Sequence, residues 1–234
     1  RMMLLCSPHN PGGRVWSRED LARLGELAGR YGVFIASDEI HCDLVFRGHR
    51  HVPFASLSEA FAQNSMTCLA PTKTFNLPGI PVSFAVIPDP ERRRRFAARL
   101  KALSLHMTSF FAPTAVKAAY GHGAEWLVAM LDYVRGNVEY AMSFFAERLP
   151  GLKPMRPEGT YLLWVDCRAL GLDAEGIKDL MFRRAKVAFN EGSVFGSEGE
   201  GFVRINLACP RATLKEALER FARAAEALAG RQTG

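Results

Sequence analysis

The stretch CLAPTKTFNLPG, Cys68 to Gly79, decides how this chain is read. A short apolar run ends in a lysine, Lys73, set among Pro71, Thr72, Thr74, Asn76, Pro78 and Gly79. Proline, asparagine and glycine together spell a tight turn. Lysine by itself belongs on a solvated face. An amine held in a turn just past a strand therefore raises the question of what it serves.

The residues on either side supply a frame. MMLLC (Met2 to Cys6) reads as a strand ended by Ser7-Pro8. Ser17 is placed to cap a helix whose first turn carries Glu19 and Asp20, with Leu21, Leu24, Leu27 and Ala28 at helical spacing as far as Arg30. VFIAS (Val33 to Ser37) is a second strand, and strand–helix–strand is the unit that makes parallel neighbours. MTCLA (Met66 to Ala70) is a third strand after a short helix near Ser58 to Ala62, and VSFAVI (Val82 to Ile87) is a fourth. Pro88 and Pro90 open a helix rich in arginine, and further helices fit Pro113 to Tyr120 and Ala124 to Leu149. Beyond Pro150-Gly151 the texture changes. Strands are expected at Thr160 to Cys167, at Val187 to Phe189 and at Phe202 to Ala208, with helices at Ala174 to Ala185 and Thr213 to Ala229. This reads as an α/β chain in two parts, residues 1–135 and a small α/β domain of residues 136–234, with the helix of about 124–149 as connector.

Asn10, Asp38 and Lys73 each fall just past the end of one of the first three strands. If those strands are parallel, all three residues share the carboxyl edge of one sheet, where open α/β sheets bind ligands. Alone, each has an ordinary explanation: a turn former, a cap, a solvated cation. Together they have a chemical use. A lysine amine forms a Schiff base with an aldehyde such as that of pyridoxal 5′-phosphate. A carboxylate keeps that cofactor's ring nitrogen protonated, and an amide can bond its phenolic oxygen. Thr72 offers a hydroxyl to the phosphate.

SPHNPGGRVWS, SDEIHCDL, APTKTFNLPG and GEGFVRINLACPR resemble fold-type I pyridoxal-phosphate enzymes of the class I/II aminotransferase superfamily, and within it the cystathionine β-lyase group of the MalY/PatB type. The resemblance runs over almost the whole chain, with the four motifs in order. It implies a PLP-dependent transferase-like fold in which residues 1–135 are the remainder of the large cofactor-binding domain. It implies that Lys73 is the Schiff-base lysine, Asp38 the pyridine partner, Asn10 the phenolic-oxygen partner and Arg204 the ligand of the substrate α-carboxylate. A guanidinium fork suits that last task, since it meets a carboxylate bidentately. The resemblance also implies a homodimer when the protein is full length. His41 stands where many aminotransferases have tyrosine and matches the lyase branch. Pro81 stands where many have a phosphate-binding arginine, Ala70 where they have a small hydroxyl residue, and Glu191 where the pattern leads one to expect proline.

Composition is that of an ordinary globular protein. Of 234 residues, 48% are apolar and 23% charged, which is enough apolar material for a core, and no apolar run reaches membrane-spanning length. The net charge of +6 is most visible in ERRRRFAARLK (Glu91 to Lys101); Phe96, Leu100 and Leu103 at helical spacing make it a solvated helix face rather than a nucleic-acid site. Five scattered cysteines without a C-x-x-C pair indicate reduced thiols and a cytoplasmic setting. The histidines of HCDLVFRGHRH (His41, His49, His51, with Asp43) match no common zinc spacing, so no metal is expected. The opening RMMLLC lies inside an apolar strand, which reads as a portion of a longer chain whose isolated form exposes sheet edges. The expected activity is carbon–sulfur β-elimination on a small amino acid such as cystathionine. An aminotransferase of the same fold is the first alternative, and a non-catalytic regulatory or interaction protein the second. Neither nucleic acid nor membrane is an expected partner.

Overall fold

The apolar runs before residue 90 do form strands, and their ladders explain where each one starts. In the computed structural model, which describes residues 1–232, β1 spans Met2–Cys6 and is followed by α1 at Arg18–Arg30. Ser17 accepts from the Asp20 N–H, Glu19 and Asp20 lie at the positive end of the helix, and Arg30 lies at the negative end. β2 spans Phe34–Asp38, one residue later than the sequence pattern suggests. The cause is local: the Val33 N–H is spent on the Ala28 carbonyl at the end of α1 (2.8 Å), so pairing begins at Phe34 and runs through Asp38. α2 (Glu59–Gln63) is capped by Ser58. β3 spans Ser65–Leu69 and β4 spans Phe84–Val86, with the single-turn helix α3 at Pro71–Thr74 between them. The sheet order is β1-β2-β3-β4; β1, β2 and β3 are parallel and β4 is antiparallel.

Beneath this sheet Leu5, Leu21, Ala28, Ile35 and Phe54 form a buried cluster, with Trp16, Leu24 and Phe61 packed against it. Each such side chain contributes roughly 1.5–3 kcal/mol by leaving water. The outer strands are less covered. Met2 and Leu4 on β1, and Phe84 and Val86 on β4, stay exposed. α4 (Pro90–Ala102) has no buried residue; the apolar stripe is present, but Phe96 and Leu103 face solvent. Its arginines have structural partners. Arg92 donates to the Gln63 carbonyl and lies over the Phe34 ring, Arg93 donates to the Ile87 carbonyl, and Arg94 pairs with Glu91. α5 (Ala112–His122) and α6 (Ala124–Arg148) follow.

The chain divides into two compact units, and the division is interleaved. The first unit holds Arg1–Asn10, Arg14–Leu131 and a returning segment, Glu158–Thr160; the second holds Pro11–Gly13, Asp132–Pro157 and the chain from Tyr161. The returning segment is bound closely. The Glu158 carbonyl accepts from the Phe46 N–H, its carboxylate accepts from the Val15 N–H (2.7 Å), and Gly159 bridges to Val45. A Cβ on Gly159 would lie 2.6 Å from the Leu44 carbonyl oxygen, so only glycine fits.

In the second unit β5 (Lys153–Met155), β6 (Leu162–Asp166), β7 (Asn190–Glu191) and β8 (Phe202–Asn206) form an antiparallel sheet of order β5-β6-β8-β7. β5 escapes the sequence pattern because it is three residues long with proline at its centre, which an edge strand tolerates. α7 (Ala174–Lys178) continues as a π-turn over Asp179–Ala185, so the expected helix changes pitch midway. The strand expected at Val187 to Phe189 is absent: the Val187 N–H bonds back to the Met181 carbonyl and Lys186 is left-handed, which delays pairing to Asn190. α8 (Arg211–Gln232) buries Leu214, Leu218, Phe221 and Ala225. No helix among the described residues is long and apolar enough to cross a membrane.

Asn137 on α6 is fully buried and fully used. Its amide donates to the Leu207 and Cys209 carbonyls (2.7 and 2.9 Å), and its oxygen accepts from Arg211 Nε (2.6 Å). Asn137→Ala leaves two carbonyls without these donors and is expected to lower stability by about 1–3 kcal/mol. A urea denaturation curve should show the midpoint falling; an unchanged midpoint would remove Asn137 from the account of this unit's stability.

Candidate active site

The ladder brings two of the strand ends level. Cys6 pairs with Asp38, and Asp38 pairs with Cys68. Asp38 is the last residue of β2 rather than the first beyond it, and its carbonyl accepts from the Ser7 N–H while the next amide, Glu39 N–H, donates to the Cys68 carbonyl (both 2.9 Å). The Asp38 carboxylate accepts from the Ile40 N–H (3.2 Å), which fixes it at the strand end. The turn after β1 is tied by the Trp16 indole donating to the Cys6 carbonyl (3.0 Å) and by the Asn10 N–H donating to the Cys6 thiol (3.4 Å). Asn10, Asp38, His41, Thr72 and Lys73 all lie in the first unit, with His41 buried and the other four half-buried.

Lys73 sits on α3, which is one turn long, begins with Pro71, and has Ala70 as an N-cap that makes no side-chain hydrogen bond. The hydroxyl residue missing at position 70 is thus a missing cap. What holds the turn lies elsewhere. The Phe75 N–H bonds the Pro71 carbonyl, the Leu77 N–H bonds the Thr72 carbonyl, and Asn76 takes the left-handed conformation that lets the chain reverse. Thr74 is buried and its hydroxyl donates to Asp43 (2.9 Å); Tyr120 on α5 donates to the same oxygen (3.4 Å). The Phe75 ring meets Tyr120 edge-on at 5.1 Å and lies 6.4 Å from Trp126.

Next to Asp38, Glu39 is almost wholly buried. Its carboxylate accepts from Ser37 Oγ (2.8 Å) and the Phe54 N–H (3.0 Å) and meets His51 Nε2 at 2.8 Å. The His/Asp group of the HCDLVFRGHRH stretch is therefore divided among different tasks: His51 with Glu39, His49 3.8 Å from Glu158, Asp43 with Thr74. No cluster of three or more metal-ligating side chains occurs among the described residues. The sequence reading missed Glu39–His51 and Asp43–Thr74. The signal for the first was a second acid, Glu39, directly after Asp38 at the end of an apolar run.

The thiols report the local field. Burial, then Asp43 and Glu39, push Cys42 up to about 12; burial, then Asp38 and Glu39, raise Cys68; burial raises Cys6, with Asp38 adding to it against a lowering bond from Asn10. Burial is the first cause for each thiol, and the carboxylates of Asp38, Glu39 and Asp43 act in the same direction. Carboxylates here favour a cationic ring, and the carboxylate ending β2, with an amide and an amine on the segments that follow β1 and β3, form a donor set that suits pyridoxal phosphate.

Arg204 lies in the second unit, on β8, opposite Trp164 of β6 and Asn190 of β7. β8 is an inner strand, not an edge. The guanidinium donates to Asn190 Oδ1 (2.8 Å) and stacks 4.6 Å from the Phe195 ring. Burial lowers its pKa, against which Tyr161 acts. A cation partly stripped of water gains from an added carboxylate. Glu191, unexplained by pattern, is a buried cap: its carboxylate accepts from the Ser193 N–H (2.8 Å) and Ser193 Oγ (2.5 Å) and starts the turn that follows β7.

Comparison with known proteins extends this geometry. Residues 1–221 match the family model described as aminotransferase class I and II. Cystathionine beta-lyase PatB of Bacillus subtilis (strain 168) is 46% identical over 220 residues, a match covering 94% of this chain and 57% of PatB. Protein MalY of Escherichia coli (strain K12) is 35% identical over 217 residues, covering 92% and 55%. The crystal structure of cystalysin from Treponema denticola, which contains a pyridoxal 5′-phosphate cofactor, superposes with a TM-score of 0.94 at 37% identity, covering 96% of this chain and 57% of that one. The chain thus spans a little over half the length of these relatives.

The field at this edge can be checked without any cofactor. Moving a thiol from 9.0 to about 12 removes about a thousandfold of its thiolate near pH 8. Native Cys42 should therefore react with iodoacetamide about a thousandfold more slowly than it does in urea, with the rate climbing about tenfold per pH unit toward 11. Equal native and unfolded rates, read by peptide mass spectrometry, would contradict the burial and charge assigned here.

Proposed function

The chain belongs to the class I and II aminotransferase family, and from that premise we propose that the whole protein is a pyridoxal-phosphate-dependent carbon–sulfur β-lyase. Its substrate is cystathionine or a related S-substituted cysteine, and its products are a thiol, pyruvate and ammonia. The carrying observation is the register that sets Asp38 at the end of β2 between its neighbours, with Lys73 in a braced turn five residues past Cys68.

Each residue has a task its chemistry suits. Lys73 Nζ would hold the cofactor's aldehyde carbon until the substrate amine displaces it, and the freed amine would then serve as the base for the substrate Cα proton. Asp38 would keep a proton on the cofactor's ring nitrogen, and Asn10 would donate its amide to the phenolic oxygen. Thr72 donates to the phosphate, and His41 takes the place that tyrosine fills in many aminotransferases. Arg204 receives the substrate α-carboxylate in a bidentate pair, its fork held by Asn190 and the Phe195 face. The bound cofactor supplies an electron sink for the charge left at Cα. The Cα proton taken up by Lys73 would pass to the sulfur as the Cβ–S bond breaks, so that the leaving group departs as a thiol, and water would release pyruvate and ammonia.

An aminotransferase would use the same residues as far as Cα proton removal. The lyase reading is favoured by His41 and by the 46% identity to a protein named for cystathionine β-lyase activity. A homodimeric full-length protein is part of the same proposal, resting on the family resemblance alone. A cytoplasmic setting is supported by five free thiols.

Full-length protein with added cofactor should release pyruvate from cystathionine with no keto acid present. Lys73→Ala should lower that rate by at least about a hundredfold. After borohydride reduction the mass of the cofactor adduct should map to the Lys73 peptide. Full pyruvate release by the alanine variant, or an adduct on another lysine, would sink the assignment.

A further inference from the structure

We propose that Asp43 is the positioning residue for Lys73, acting through the Thr74 hydroxyl and braced by Tyr120. The inference rests on the reading of Lys73 given above and adds what sets the amine in place.

α3 cannot orient Lys73 unaided. It is a single turn, its N-cap alanine contributes no side-chain bond, and a helix this short does not hold itself in water. The residue directly after the lysine is Thr74, 1% exposed. A hydroxyl buried that deeply must find an acceptor, and it finds the Asp43 carboxylate at 2.9 Å. A hydrogen bond to a charged acceptor is about twice as strong as a neutral one.

Asp43 is itself anchored to the strand that carries Asp38. The Cys42 N–H bonds the Glu39 carbonyl, the Leu44 N–H bonds the His41 carbonyl, and the Leu44 carbonyl accepts from the Thr160 N–H (2.6 Å). A five-residue arc thus joins Asp38 to Asp43, and one hydrogen bond joins Asp43 to the lysine's neighbour. The third leg comes from α5. Tyr120 donates to the same carboxylate oxygen, and its ring packs edge-on against Phe75. Its phenol is pushed up to about 12, by burial first and then by Asp43, so it remains a donor at working pH. Phe75 in turn abuts Gly123, where a Cβ would come within 2.6 Å of the ring. Residues 73–75 are therefore held from two sides, and the two groups assigned to opposite ends of the cofactor share one brace.

The test uses the full chain without cofactor, so that its outcome does not depend on lyase chemistry. Thr74→Val keeps the shape and deletes the hydroxyl; Thr74→Ser keeps the hydroxyl; Asp43→Ala deletes the acceptor. Amide hydrogen exchange over residues 71–77 and acylation of Lys73 by an N-hydroxysuccinimide ester are followed by mass spectrometry. Thr74→Val and Asp43→Ala should each speed both processes by at least about tenfold, the low end for a hydrogen bond to a charged acceptor. Thr74→Ser should return both to the parent rates, the double variant should match either single variant, and β1–β2 ladder amides should be unaffected. If serine fails to restore the parent rates, if valine changes neither, or if the β1–β2 amides speed up to the same degree, Asp43 is not a positioning residue. If these results hold while Lys73 takes up no cofactor in the borohydride experiment, the brace stands and the lyase reading falls.

Discussion

The parallel ladder through Cys6, Asp38 and Cys68 is the constraint on which the rest depends. Side chains alternate faces along a strand, so a slip of one residue would exchange Asp38 and Glu39. The slip is costly here because the two carboxylates live in different surroundings. Glu39 is buried with a serine hydroxyl, a backbone N–H and a histidine as partners, whereas Asp38 is half-buried at the sheet edge. Exchanging them would bury a carboxylate without those partners and leave the partners orphaned, a penalty of several kcal/mol. The buried acid thus holds the register that presents its half-buried neighbour.

The same economy governs the lysine turn. Its own sequence offers proline, threonine and asparagine, which permit a tight reversal without specifying where the amine points. Direction comes from outside: from a carboxylate on the loop after β2 and from an aromatic group that Tyr120 and Trp126 complete. Negative charge gathers at this edge from three acids close together in the chain, Asp38, Glu39 and Asp43. That arrangement would destabilise a neutral site and suits one that takes a cation.

Much of this was legible in the residues. Strand–helix–strand order, the Ser17 cap and the polar residues after three apolar runs depend on local chemistry, so the frame and the set Asn10, Asp38, Lys73 could be read directly. What could not be read depends on which partner each amide or side chain takes once the chain is folded. Val187 to Phe189 has strand composition, yet its first amide is taken by Met181, and pairing moves to Asn190 and Glu191. Glu191 looked out of place until its cap to Ser193 was visible. Asp38 closes its strand rather than following it because the Val33 N–H serves the preceding helix and pairing starts at Phe34. The arginine run was correctly read as a helix, but its apolar stripe is uncovered, which no spacing rule could foretell.

The returning segment Glu158–Thr160 has a consequence for how the protein is made. The Val15 amide waits 143 residues for its acceptor on Glu158, and the loop around Leu44 waits almost as long for its glycine bridge. At about 5–20 residues per second, a nascent chain leaving the ribosome passes roughly 7–30 seconds before the Val15 contact can close. During that interval the sheet edge can form its ladder, but the loops above it remain unsecured. Chaperone occupancy on translating ribosomes should therefore persist until residue 160 has emerged, well after the last strand of the first sheet is complete.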